Sequence, residues 1–177
     1  MPQAIETSMN ASTAYATSDD FCRIFSEEMD SLYLLSLLLT ADAGKAEQCF
    51  VAGIGDSVEG NPVFKEWAQS WARRTVIQQA VRTIEPMQET LTIAQPHGLG
   101  LEPRLSAILE LNPLDRFVFV MSVLEGYSNQ DCSILLGCSR QTVVNARTQA
   151  FLHLAKPGEI VALQGERLQS TYALVSR

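Results

Sequence analysis

The sequence predicts an all-α protein of two small helical domains joined by a linker that contains proline and glycine. Apolar residues recur at intervals of three and four positions through most of the chain, which is the spacing of one buried helical face. The stretch from Pro86 to Pro103 breaks this pattern with three prolines, two glycines and no helical period. At 46% hydrophobic residues, the 177-residue chain has enough apolar side chains to fill two small cores.

These patterns divide the chain into five segments. They are a disordered lead-in at 1–18, a helical domain at 19–85, a linker at 86–103, a second helical domain at 104–155 and an extension at 156–177. The lead-in has neither a basic start nor an apolar signal-like core, so we expect a cytoplasmic protein. No apolar run is long enough to span a bilayer. The extension is compatible with two short strands, at 159–163 and 170–175, or with a loose arm.

The first domain is predicted to contain three main helices. Asp19 and Asp20 can cap a helix that continues to about Leu39. Its apolar stripe consists of Phe21, Ile24, Phe25, Met29, Leu32, Leu35 and Leu39. A turn follows, and a second helix begins near Lys45 but is expected to be cut short by Gly53 and Gly55. A longer helix is predicted from about Phe64 to Ile84. Trp67 and Trp71 lie four residues apart on it, a spacing that favours burial together in the core over an exposed aromatic platform.

The second domain is predicted to be a helix-turn-helix. Pro113 can open its first long helix, whose buried face consists of Phe117, Val120, Met121 and Leu124. Ser128 then caps a short helix that continues to Leu136. Gly137 makes the turn, and Ser139 caps a last helix that continues to Leu154. Two helices joined by a tight glycine turn are typical of this DNA-binding motif.

The last helix has one apolar and one polar side. At about 100° per residue, the apolar side holds Val143, Ala146, Ala150, Phe151 and Leu154. Gln141, Asn145, Thr148 and Gln149 lie on the other side, together with Leu152. Amide side chains can pair with adenine through two hydrogen bonds, and a threonine hydroxyl can contact several bases. The polar side therefore indicates DNA contact, although an ordinary solvated surface has a similar composition.

Catalytic and metal-binding patterns are missing from the sequence. Cys22, Cys49, Cys132 and Cys138 form no CxxC pair, and the chain has only two histidines, so we expect four free thiols and no zinc site. Gly53 and Gly55 do not form a phosphate-binding loop, and no nucleophile and base stand at a catalytic spacing. The sequence therefore predicts a protein that is not an enzyme and needs no cofactor.

A series of motifs in the second domain resembles region 4 of the sigma-70 family, in its extracytoplasmic-function branch. The matching positions are Leu111, Pro113, Arg116, Phe119, Glu125-Gly126-Tyr127-Ser128, Gln130-Asp131, Leu136-Gly137-Cys138-Ser139 and Thr142-Val143. The resemblance implies a sigma factor that binds RNA polymerase core and directs it to promoter DNA. The residues expected to contact DNA in this domain are Ser139, Arg140, Gln141, Thr142, Asn145, Thr148 and Gln149.

The first domain is similar to region 2 of the same family. Matching positions are Ala46-Glu47-Gln48, Phe64, Trp67, Ala68, Trp71, Ala72, Arg73 and Arg74. In the family this region binds the polymerase clamp, and it captures and melts the promoter hexamer nearest the start site. The resemblance implies that Lys65, Arg73 and Arg74 would face the DNA backbone. It also makes an anti-sigma factor a candidate partner.

The charge of the chain limits how it can bind DNA. There are 13 basic and 20 acidic residues, which give a net charge of −7, whereas nucleic-acid affinity comes largely from neutralising phosphates. The last helix carries only Arg147 after Thr142-Val143, and that arginine is predicted to point toward the apolar side. A polymerase could compensate by holding the promoter at high effective concentration. The alternative is a degenerate sigma-like protein that acts only through protein contacts, by titrating polymerase or an anti-sigma factor.

Overall fold

The computed structural model describes residues 14–88 and 103–155, and all of their regular elements are helical. The predicted all-α class is confirmed. The one β feature in these ranges is an isolated antiparallel bridge between Tyr15 and Phe64. Most of the predicted lead-in and linker, and the extension with its two possible strands, lie outside the described residues. No helix in the described ranges is long and apolar enough to cross a membrane.

The helices follow one another in two compact units, residues 1–113 and residues 114–177. In the first unit they are α1 (Ser18–Glu27), α2 (Met29–Thr40), α3 (Ala43–Glu59), a 3₁₀ turn (Lys65–Trp67), α4 (Ala68–Ile84) and α5 (Pro103–Leu109). In the second unit they are α6 (Pro113–Phe119), a π-helical turn (Val120–Leu124), α7 (Asn129–Leu136) and α8 (Arg140–Leu154). The predicted limits of the two domains stay a prediction.

The first predicted helix is two helices, and its cap is Thr17 rather than Asp19 or Asp20. Thr17 Oγ1 accepts a hydrogen bond from the Asp20 backbone N–H at 3.2 Å, and Asp20 Oδ2 accepts one from the Thr17 N–H at 3.0 Å. This reciprocal pair is a capping box. The chain leaves helical geometry at Glu28, where φ is −105° and ψ is 18°. The break moves Met29 off the apolar stripe, and it is 54% exposed.

The expected shortening of the second helix at its glycines was wrong, because α3 continues through Gly53 and Gly55. Gly53 is buried against α4, where a Cβ atom would lie 3.0 Å from Val76 Cγ2. Beside it, Ser57 Oγ donates to the Gly53 carbonyl at 2.8 Å and lies 2.9 Å from Thr75 Oγ1, which donates to the Ala72 carbonyl at 2.8 Å. A helical glycine costs about 1 kcal/mol relative to alanine. Close packing on α4 and these hydrogen bonds offset that cost.

The buried face predicted for α6 and the π-helical turn after it is correct at three of its four positions. Phe117, Val120 and Met121 are fully buried, but Leu124 is 48% exposed. The π-helical turn explains the difference, because the Glu125 N–H donates to the carbonyl of Val120, five residues back, at 3.0 Å. A wider turn rotates every later side chain away from the position that a regular α-helix would give it.

The turn chemistry of α7 and α8 agrees with the sequence. Ser128 Oγ accepts from the Asp131 N–H at 3.1 Å, and Asp131 returns the bond to the Ser128 N–H. Gly137 ends α7 in the left-handed region with φ 64°. Ser139 Oγ then accepts from the Thr142 N–H at 3.0 Å and begins α8. These caps fix where both helices of the motif begin, and Gly137 fixes where the first one ends.

The four cysteines are free thiols. Cys132 is completely buried in the helix-turn-helix, and burial raises the pKa of its thiol to about 11. Burial also raises the pKa of Cys138, which is half-buried. Both side chains are therefore protonated at neutral pH and pack as small apolar groups.

Candidate nucleic-acid interface

The inner side of α8 fixes which residues point away from the unit. Val143, Ala146 and Ala150 are buried, as their spacing predicts. The two alanines have no atoms beyond Cβ, so the helix can lie close to its neighbours. Gln141, Asn145, Thr148 and Gln149 are exposed on the outer side, which agrees with the prediction from the sequence.

The outer side chains of α8 form hydrogen bonds of their own. Gln141 Nε2 donates to Asn145 Oδ1 at 2.9 Å, so the two amides form a pair one helical turn apart. Thr148 Oγ1 donates to the Val144 carbonyl at 2.9 Å. Its hydroxyl hydrogen is therefore used inside the helix, and its methyl group and oxygen lone pairs remain for a ligand.

Ser139 and Thr142 lie at the start of α8 and are occupied with the cap. The Ser139 side chain accepts the Thr142 N–H, and the two hydroxyl oxygens are 2.8 Å apart. The side chains of these two residues, which the sequence predicted to contact DNA, are therefore hydrogen-bonded to each other. The first turn of a helix also presents unpaired N–H groups, which attract phosphate.

The two arginines of α8 differ in their availability. Arg140 is exposed, and in the described part of the chain it has no hydrogen-bond or ion-pair partner. Arg147 is half-buried, and its Nη1 donates to Asn129 Oδ1 on α7 at 2.9 Å. The sequence correctly directs Arg147 toward the packed side of the helix. Arg140 is therefore the cation that α8 offers to a ligand.

The C-terminal end of α8 is more apolar on its surface than the sequence predicts. Phe151 was expected on the buried side but is 50% exposed. Phe119 meets its ring edge-on, with 5.7 Å between the ring centroids. Leu152 is 48% exposed on the outer side. The exposed surface of α8 is therefore polar through Gln149, and its last turn exposes Phe151 and Leu152 beside His153.

In the first unit, two of the three predicted DNA-contacting cations are held by acidic side chains of the same unit. Lys65 Nζ lies 3.4 Å from Asp20 Oδ2, and Arg73 Nη1 lies 3.2 Å from Glu28 Oε2. Hydrogen bonds from Thr17, with a smaller contribution from Lys65, lower the pKa of Asp20 to about 2. Arg74 is half-buried and has no ion-pair partner in the ranges that the structure describes. These cations are therefore only partly available to phosphates.

An exposed aromatic cluster lies near Lys65, where the sequence favoured a buried Trp67 over an aromatic platform. The rings of Tyr15 and Phe64 stack with centroids 4.7 Å apart, and Trp67 meets Phe64 edge-on at 5.3 Å. Trp67 is 57% exposed, so its predicted burial with Trp71 was wrong. The 3₁₀ turn causes this, because it places Trp67 before the first turn of α4. The sequence shows that Phe64 and Trp67 are three residues apart, but it does not show that the fold brings Tyr15 to them.

The comparison with protein families concerns the second of these two regions. Residues 105–154 match the family model for region 4 of sigma-70. No curated protein and no solved structure matches the chain. The resemblance to region 4 is therefore confirmed over this stretch, and a region 4 implies a DNA-binding role like that of sigma factors. Region 4 is not an enzymatic domain. The resemblance of the first unit to region 2 stays a prediction.

Proposed function

We propose that this chain, which carries a sigma-70 region 4 at residues 105–154, is a sigma factor that binds RNA polymerase core and directs it to promoter DNA. The observation that carries the proposal is the outer side of α8. There a capped helix-turn-helix exposes Gln141, Asn145 and Thr148 in one row, with Arg140 at its start. The second helix of such a motif lies in the major groove, with its first residues on base edges.

Some residues of α8 would contact base edges, and others would position the helix on the DNA backbone. Gln141, Asn145, Thr148 and Gln149 would read base edges, since their groups match the donors and acceptors of the major groove. Arg140 would bind phosphate. Ser139 and Thr142, which hold the cap, would fix the N–H groups that approach the DNA backbone.

The first unit would hold the melted strand. The cluster of Tyr15, Phe64 and Trp67 supports this role, because exposed rings can stack on unpaired bases. Arg74 would contact phosphates, and Lys65 and Arg73 could join it only by leaving Asp20 and Glu28. Both ion pairs are partly exposed to solvent, so water can replace the cation at the carboxylate when the cation moves to a phosphate. The polymerase would hold the promoter at high effective concentration, which offsets the shortage of free cations.

The proposal is tested with the full chain and RNA polymerase core. The chain should co-purify with core polymerase, and the complex should give promoter-dependent run-off transcripts that core polymerase alone does not. Both activities belong in the cytoplasm, where polymerase and promoter DNA are found, and neither needs a cofactor or a membrane. Absence of binding to core polymerase would reject the proposal.

A second candidate function is a degenerate sigma-like protein that binds polymerase or an anti-sigma factor without reading promoters. The observation that favours it is the pairing of cations within the first unit, including Arg82 with Asp56 at 3.1 Å, in a chain of net charge −7. Binding to core polymerase with no promoter-dependent transcripts would support this candidate. Promoter-dependent transcripts would reject it.

A further inference from the structure

We infer that Gln141 and Asn145 act as one hydrogen-bonded unit that reads adenine, and that α8 thereby selects A·T over G·C at neighbouring base pairs of the promoter. This inference rests on the proposed function and names the bases that the site would accept. It follows from the direction of the bond, in which Gln141 Nε2 donates and Asn145 Oδ1 accepts at 2.9 Å.

The bond fixes the orientation of the Asn145 amide. A side-chain amide can present its oxygen and nitrogen in either of two arrangements, and the donor from Gln141 holds the oxygen toward the start of α8. Asn145 Oδ1 keeps one lone pair, and both hydrogens of Nδ2 are free. These groups match adenine, whose N7 accepts and whose N6 donates. Asn145 can therefore bind adenine through two bonds while its bond from Gln141 remains intact.

Gln141 keeps a complementary set of groups. Its Oε1 has both lone pairs, and Nε2 has a second hydrogen, so it can accept from and donate to the next base. Both side chains are exposed and lie one turn apart on the outer side. Such a spacing suits contacts to base pairs that follow each other along the groove.

The remaining groups of the helix disfavour guanine at these positions. Guanine is read most often by an arginine or lysine that donates two bonds to O6 and N7. Arg147 is held by Asn129 on the packed side, and Arg140 lies at the first residue of α8. Thr148 has given its hydroxyl hydrogen to Val144 and offers a methyl group instead, which suits the methyl group of thymine.

The test uses the full chain with RNA polymerase core and a promoter library in which the upstream element is randomised. Counting transcripts by template sequence should show adenine preferred over guanine at two neighbouring base pairs. Asn145→Ala should reduce the adenine-to-guanine ratio at one of them by about 5-fold to 150-fold, the range of one two-bond base contact. Asn145→Asp keeps the acceptor for Gln141 but loses the donors, so the preference should move from adenine to cytosine, whose N4 donates.

A double-mutant cycle tests whether the two amides act together. Gln141→Ala should lower the preference at the base pair read by Asn145, but it should have little effect there once Asn145 is already alanine. Gln149 is the matched control, since it is an exposed amide of α8 with no hydrogen bond to Asn145, and its cycle with Asn145 should be additive.

The possible failures are distinguishable. Guanine preference at these base pairs, or an additive cycle between Gln141 and Asn145, would overturn the inference while transcription itself remained promoter-dependent. A wild-type complex without any promoter-dependent transcript would reject the proposed function, and with it this inference.

Discussion

The two units of this protein use their polar side chains in different ways. The first unit connects its helices by them: Glu28 accepts from Gln69 and from Arg73 on α4, and Asp56 of α3 accepts from Gln79 and Arg82. In α7 and α8 of the second unit, polar groups mainly cap their own helix or pair one turn away, as Gln141 does with Asn145. Ion pairs between helices leave fewer cations of the first unit available to a ligand. The local pairs of α8 leave a surface of neutral polar side chains exposed. The base reading proposed for α8 would therefore depend on hydrogen bonding more than on charge.

The largest expected effect tests how α6 and α7 are packed in the second unit. Leu136 is 5% exposed, so Leu136→Asp should bury an unpaired charge and destabilise the unit by about 3–5 kcal/mol or unfold it. Leu124→Asp is the matched control, because the π-helical turn leaves Leu124 48% exposed and the carboxylate can remain in water. Circular-dichroism melting measures both. Equal losses would mean that Leu124 is buried and that the π-helical turn is misplaced.

The next effect tests the interhelical packing of the first unit. Gly53→Leu should destabilise that unit by about 1–3 kcal/mol, because even a Cβ would lie 3.0 Å from Val76. Gly55 has open space around its Cβ position, so Gly55→Ala in the same helix should stabilise by about 0.5–1 kcal/mol. Urea unfolding distinguishes the two substitutions. Destabilisation by Gly55→Ala would contradict the account of why α3 continues through both glycines.

A third prediction sharpens the contrast between charge and hydrogen bonding. Arg140→Ala should weaken promoter binding of the polymerase complex on all sequences and reduce the slope of log affinity against log salt by about one. Arg147→Ala should leave that slope unchanged, because Arg147 is bound to Asn129. Titrations at several salt concentrations measure both slopes. An equal reduction by the two variants would show that Arg147 also reaches phosphate.

The smallest effect concerns the cap of α1. The pKa of Asp20 is about 2 in the folded protein against an ordinary value of 3.8. Because the folded value is lower, Asp20 stabilises the protein above pH 3.8, and this contribution is lost as the pH falls through about 2. Wild type and Asp20→Asn should therefore differ in urea unfolding at pH 5 and converge near pH 2. A constant difference across that range would contradict the lowered pKa.

The sequence predicted those features of the site that are set by residues close together in the chain. Ser128, Gly137 and Ser139 act on residues within three positions of themselves, so the bounds of α7 and the start of α8 followed from residue types. The outer side of α8 followed from helical periodicity. The pairing of Lys65 with Asp20 and the approach of Tyr15 to Phe64 join distant positions, and no local pattern indicates such contacts.

The sequence by itself determined the all-α class, the helix-turn-helix, its resemblance to region 4 of sigma-70 and the polar side chains that α8 exposes. Caps, turns and apolar periodicity act over a few residues, and they are therefore visible in the chain. Only the tertiary structure decided that α3 continues through Gly53, that Trp67 is exposed, and that Leu124 is turned to the surface. Each of these outcomes depends on packing against a neighbouring helix or on a change in helical geometry, and the spacing of residues in the sequence specifies neither.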